Sequence, residues 1–201
     1  MKKSILTIAG VCAAACCFAA CEGSANNNVT ESSKYDNLNE MLNKNYSQIV
    51  LTVKDTFDED TYLTSEYTIK YSDSTVTVTY SVEKFTELSL DNPSAEVKTT
   101  LIGEIEIKNG TAVLISGIDI NLTADIAEVG LTFKEEYFEN TTLTDMTLQA
   151  DVTNVSAFVG SQLSCTDMKV KATFIEMFYN INITYTSESG SFVEYSYIFS
   201  L

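Results

Sequence analysis

The sequence predicts a mainly β (α+β) domain: a curved antiparallel sheet or incomplete barrel of about ten strands with one N-terminal helix. Three observations carry this expectation. From Gln48 onward, apolar and polar side chains alternate at period two, the spacing of strands with one wet face and one dry face. Turn-forming groups punctuate the alternation at Asp58-Glu59-Asp60, Ser72-Asp73-Ser74, Asn109-Gly110 and Glu188-Ser189-Gly190. A well-defined helical period occurs ahead of all this, between Tyr35 and Tyr46. A two-layer β-sandwich fits the same pattern and is the alternative.

The chain opens with Lys2 and Lys3, followed by an uncharged apolar run of 16 residues from Ile5 to Ala20 and then Cys21. Polar sequence begins at once with Glu22-Gly23-Ser24. The run is short for a bilayer span and ends in small residues, which is the form of a removable export signal. Phe18-Ala19-Ala20-Cys21 resembles the lipobox of bacterial lipoproteins, with Phe18 standing where that family usually has Leu. The resemblance covers residues 1–21 and implies that Cys21 takes up diacylglycerol through its thiol and is cleaved on its amino side. Cleavage before Cys12, Cys16 or Cys17 would leave an apolar remnant. An ordinary secretory signal cut near Ala13-Ala14-Ala15, releasing a soluble protein, is the alternative.

Residues 21–33 then read as the lipidated cysteine and a flexible tether rich in Asn, Ser, Thr and Gly, and 34–201 as a single antiparallel β domain. Ser33 followed by Asp36 suits a helix start, and Tyr35, Leu38, Met41, Leu42 and Tyr46 form its apolar stripe. Strands follow around Ile49, Leu51 and Val53, then Leu63–Tyr71, Val76–Val82 and Leu101–Ile107. Asn109-Gly110 is the strongest hairpin signal, because both central positions of a type I′ turn need positive φ. Ala112 to Ile126 keeps one parity across Gly117, as one bent strand or two. Further strands are expected at Leu131–Phe138, Leu143–Val152, Met168–Phe174, Tyr179–Tyr185 and Phe192–Phe199. Helical spacing returns at Val155, Phe158, Val159 and Leu163 after the capping Asn154, and more weakly at Val82, Phe85 and Leu88.

Composition excludes whole classes of function. Acidic residues number 28 against 12 basic ones, all lysine, for a net charge of −16. Such a surface repels nucleic acid and anionic headgroups, so the expected partner is the membrane through N-terminal acyl chains, together with a protein or an apolar ligand. The chain has no histidine, so a Ser-His-Asp triad or a Cys-His pair cannot be built. Once the signal is removed and Cys21 is acylated, Cys165 is left as an inert thiol without a disulfide partner.

The carboxylates read mostly as solvated. Glu104 and Glu106 share a face opposite Leu101, Ile105 and Ile107, Asp58-Glu59-Asp60 lacks the ligand spacing of a calcium loop, and Glu135-Glu136 reads as wet. Glu176 continues the dry parity of Met168, Val170, Ala172 and Phe174, although a bulge near 175–180 would turn it outward. Tyr195 and Tyr197 share one face, as strand packing or as a contact surface. The sequence therefore names no catalytic residue, no metal ligand and no cofactor, and Cys21 is its one site residue.

A helix followed by a long meander resembles the LolA and LppX-like carriers of the bacterial envelope, in architecture only and with no motif matched. That resemblance implies binding of acyl chains or other apolar ligands. The expected function is that of a non-enzymatic, membrane-anchored lipoprotein acting as an interaction module on the periplasmic or surface side of the envelope. An apolar-ligand carrier is the alternative, and a carboxylate-dependent enzyme the second alternative.

Overall fold

The computed structural model describes residues 31–201 apart from 59–60, 73–74, 89–94, 145 and 176–177. The signal segment, Cys21, most of the tether, Glu59, Asp60 and Glu176 lie outside the described residues. The described residues are mainly β, with ten antiparallel strands in one open sheet. Being one sheet, it is not a two-layer sandwich.

Helix α1 spans Glu31–Leu42 and is followed by β1 (Gln48–Asp58), β2 (Thr61–Tyr71), β3 (Val76–Leu88), β4 (Ala95–Lys108) and β5 (Thr111–Gly117). A long connection, 118–137, carries only 3-10 turns at Ala124–Ala127 and Glu135–Tyr137. Then come β6 (Phe138–Leu143), β7 (Thr147–Val152), α2 (Val155–Val159), β8 (Cys165–Ile175), β9 (Phe178–Ser187) and β10 (Phe192–Ser200). The strand order is β5-β4-β3-β2-β1-β10-β9-β8-β7-β6. Two five-stranded meanders thus meet at β1 and β10, paired from Gln48 with Ser200 to Thr56 with Phe192.

Local chemistry explains the hairpins. Asn109 and Gly110 both take positive φ, 53° and 72°, between paired Lys108 and Thr111. Gly190, at φ 85°, closes the β9–β10 turn. Asn140 and Asp167, at φ 50° and 54°, stand where the β6–β7 and β8–β9 registers shift, since a short polar side chain tolerates the left-handed region a bulge requires. In α2 the Asn154 side chain accepts a hydrogen bond from the Ala157 amide, and Gly160 ends the helix in the left-handed conformation.

Several expectations are corrected. The first helix ends at Leu42, where Lys44 N–H donates to the Met41 carbonyl and tightens the last turn; Tyr46 lies beyond it, buried, with its hydroxyl donating to the Met41 carbonyl. Val82, Phe85 and Leu88 belong to β3, which pairs with β2 as far as Thr86 and with β4 as far as Leu88. The strand expected over Leu143–Val152 begins only at Thr147, as β7; Leu143 ends β6, and in the turn between them Thr144 N–H donates to the Thr147 carbonyl at 2.8 Å.

The runs 118–126 and 131–137 are not strands. Beyond Gly117, at φ 89°, Ile118 N–H donates to the Ile102 carbonyl, and the chain then leaves the β5 edge to reach β6 at the opposite edge. Side chains hold the crossing segment in place. Tyr80 Oη donates to the Ile118 carbonyl, and Tyr71 Oη donates to the Ala127 carbonyl at 2.6 Å. Tyr80 lies across Gly103, where a Cβ would fall 2.2 Å from its hydroxyl oxygen. Asn39 of α1 clamps the other end, donating to the Phe133 carbonyl at 2.7 Å and accepting from the Phe133 amide at 2.8 Å. Phe133 is fully buried and packs edge-on against Phe158 of α2, while Tyr35 of α1 stacks on Phe138. The helices and the crossing segment therefore form a cover over one face of the sheet.

Candidate ligand-binding cavity

Alternation along the strands places a continuous set of side chains beneath that cover. In one row, Ile69, Ile49, Phe199 and Tyr179 align across β2, β1, β10 and β9. The next rows are Tyr67, Leu51, Tyr197 and Ile181, then Ser65, Val53, Tyr195 and Ile183. The last row is Leu63, Asp55, Val193 and Tyr185. Between these strands and residues 120–131 and 159–163 lies a cavity of about 600 Å³, lined mainly by apolar side chains. Its size falls in the roughly 300–1,000 Å³ range of small-molecule sites.

The cavity is asymmetric in chemistry. Its middle is aliphatic and aromatic, with Leu51, Val53, Ile183 and Leu131 in the wall. Asp55 and several hydroxyls also line it. Ser187 Oγ lies 2.7 Å from the hydroxyl oxygens of both Ser189 and Ser191, and Ser65 hydrogen-bonds the Tyr67 hydroxyl. Tyr185 and Tyr195 stack with ring centroids 6.1 Å apart and share a hydrogen bond between their hydroxyls. Burial pushes both phenols above their ordinary range, with the nearby Asp55 carboxylate adding to the shift. Asp55 Oδ1 is itself shielded from solvent and has no hydrogen-bond partner among the described residues. Asp125 and Glu128 also line the cavity, and no lysine does among the described residues.

The tyrosines singled out in the sequence meet here. Tyr195, Tyr197 and Phe199 form a stacked ladder along β10, with successive centroids 6.4 Å and 6.2 Å apart, and Tyr195 and Tyr197 face the cavity instead of solvent. The other candidates stay apart from it. Glu104 and Glu106 sit on the opposite sheet face from buried Ile105 and Ile107, and Glu135 and Glu136 are exposed in a 3-10 turn. Cys165 is half-buried, and burial raises its thiol pKa. Among the described residues no three His, Cys, Asp or Glu side chains converge as metal ligands.

Asp55 escaped the sequence reading. The signal was present: Asp55 continues the parity of Ile49, Leu51 and Val53, as Glu176 does that of Phe174. The change of dry parity from even residues in β8 to odd ones in β9 follows from the hairpin register, in which Phe174 pairs with Tyr179. No protein-family model matches the chain, and no curated protein matches it.

Proposed function

We propose that this chain is an exported lipoprotein, held to the membrane through Cys21, whose β domain binds an apolar-tailed ligand between its sheet and its cover. The observation that carries this reading is the cavity of about 600 Å³, with its aliphatic and aromatic middle. A packed core would have its layers in contact, and a chain that buries this much apolar lining around open volume gains by filling it. The lipobox-like Phe18-Ala19-Ala20-Cys21 supports the anchor, and the resemblance to envelope carriers agrees with the ligand class.

Purification of the full chain from its host membrane, followed by solvent extraction and mass analysis, tests the reading. The expected result is a near-stoichiometric compound with an aliphatic tail. A cavity that returns nothing, and an unfolding midpoint that stays flat as alkyl compounds are titrated in, would sink it. In the same host, Cys21→Ser should leave the protein unprocessed at the lipoprotein cleavage site and unacylated.

A second reading, an interaction module, is favoured by the β5 edge. Ile102, Val113, Ile115 and Ile118 are each more than half exposed there, and the outer side of β5 has no strand neighbour among the described residues. A partner that adds a strand to this edge would pair with its open backbone and set its own side chains beside Val113 and Ile115.

A further inference from the structure

The geometry points to an ammonium group as the head of the bound ligand, received by Asp55 with its alkyl tail lying along the tyrosine ladder. This inference rests on the cavity reading above and names the chemistry at one end of it. A carboxylate oxygen removed from water requires a donor or a cation, and the structure supplies neither to Asp55 Oδ1. Directly beside it stand Val193 and Leu63, which offer no side-chain donor, and the nearby Tyr185 and Tyr195 hydroxyls already engage each other. A ligand that brings a positive N–H donor satisfies the carboxylate with a charge-assisted hydrogen bond.

The sign of the lining argues the same way. Asp55, Asp125 and Glu128 are the ionisable carboxylates in the wall, and no lysine opposes them among the described residues, while arginine is missing from the whole chain. An anionic head such as a fatty acid's would meet only like charge. Tyr185 stands in the same row as Asp55, and Tyr195 in the next row is stacked against it, so aromatic rings border the head.

The test is competition among three probes of equal tail, hexadecylamine, hexadecanol and hexadecanoate, for the full-length chain, read by native mass spectrometry after release from detergent. Hexadecylamine should exceed hexadecanol by about tenfold and hexadecanoate by more, the size expected of one charge-assisted contact. Asp55→Asn should abolish the preference of amine over alcohol while hexadecanol still binds. Equal or tighter binding of hexadecanoate overturns the ammonium head and leaves the cavity reading standing. Parity of amine and alcohol in the parent protein also overturns it. If none of the three binds, both readings fall.

Discussion

Asp55 holds a place that the pattern of β1 reserves for an apolar side chain, and the residues around it show why tyrosine suits such a boundary. A phenol buries its ring and keeps one hydroxyl for a partner, so a wall can be apolar in bulk and polar at chosen points. Tyr71 illustrates the cost at high pH. Burial, with Glu128 nearby, raises its pKa from 10.0 to about 12, and burial together with Tyr179 does the same for Tyr46. Because the folded values lie above the unfolded ones, the neutral phenols support the fold fully below pH 10, and that support is lost as pH rises from 10 through about 12. Denaturant midpoints should hold steady up to pH 10 and then fall, with a shallower fall in Tyr71→Phe. A midpoint indifferent to this window would show that the hydroxyl of Tyr71 is not held under the crossing segment. At this scale the sequence is legible by parity alone: alternation marks Tyr195 and Tyr197 as neighbours on one face, and the same parity runs from Ile49 through Leu51 and Val53 to Asp55.

Among the elements, the segment 118–137 separates what periodicity reports from what it does not. Alternation records that one side of an extended chain is buried. It does not record whether the backbone pairs with a strand. Leu131 and Phe133 turn inward as strand residues would, yet the backbone of Thr132 and Phe133 is satisfied by the Phe158 carbonyl and by the Asn39 side chain. The Asn109-Gly110 hairpin and the Asn154 cap were readable because each depends on a local conformation that few residues allow. The Asn39 clamp joins residues 94 apart in sequence, and nothing local announces it. Asn39→Leu should leave the Phe133 amide and carbonyl unpaired beneath α1 at a cost of about 1–3 kcal/mol for each group. Equilibrium unfolding measures this. A change below 1 kcal/mol would show that water replaces the side chain and that the clamp is dispensable.

For the molecule as a whole, every neighbouring strand pair but one is sequential, and that exception is at the centre. β1 and β10 join the two meanders through residues about 150 apart in sequence. The alternation and turn signals marked nine of the ten strands among the described residues, and β6 fell between the expected runs Leu131–Phe138 and Leu143–Val152. The central pairing was not foreseeable from them, since alternation says which face is dry and is silent on which strand lies alongside. Deleting residues 192–201 removes β10 and should abolish the single cooperative unfolding transition. Retention of that transition by the shortened chain would mean that the meanders are stable without their central pairing. The same pairing sets an order of events for a polypeptide delivered from its amino end. β1 to β5 can zip through short turns early, but β1 must keep a bare hydrogen-bonding edge until the final strand arrives. That interval is when misassembly competes with completion of the fold, so lesions in β10 that slow its docking will reveal themselves as aggregation during synthesis before they register as a weaker native state.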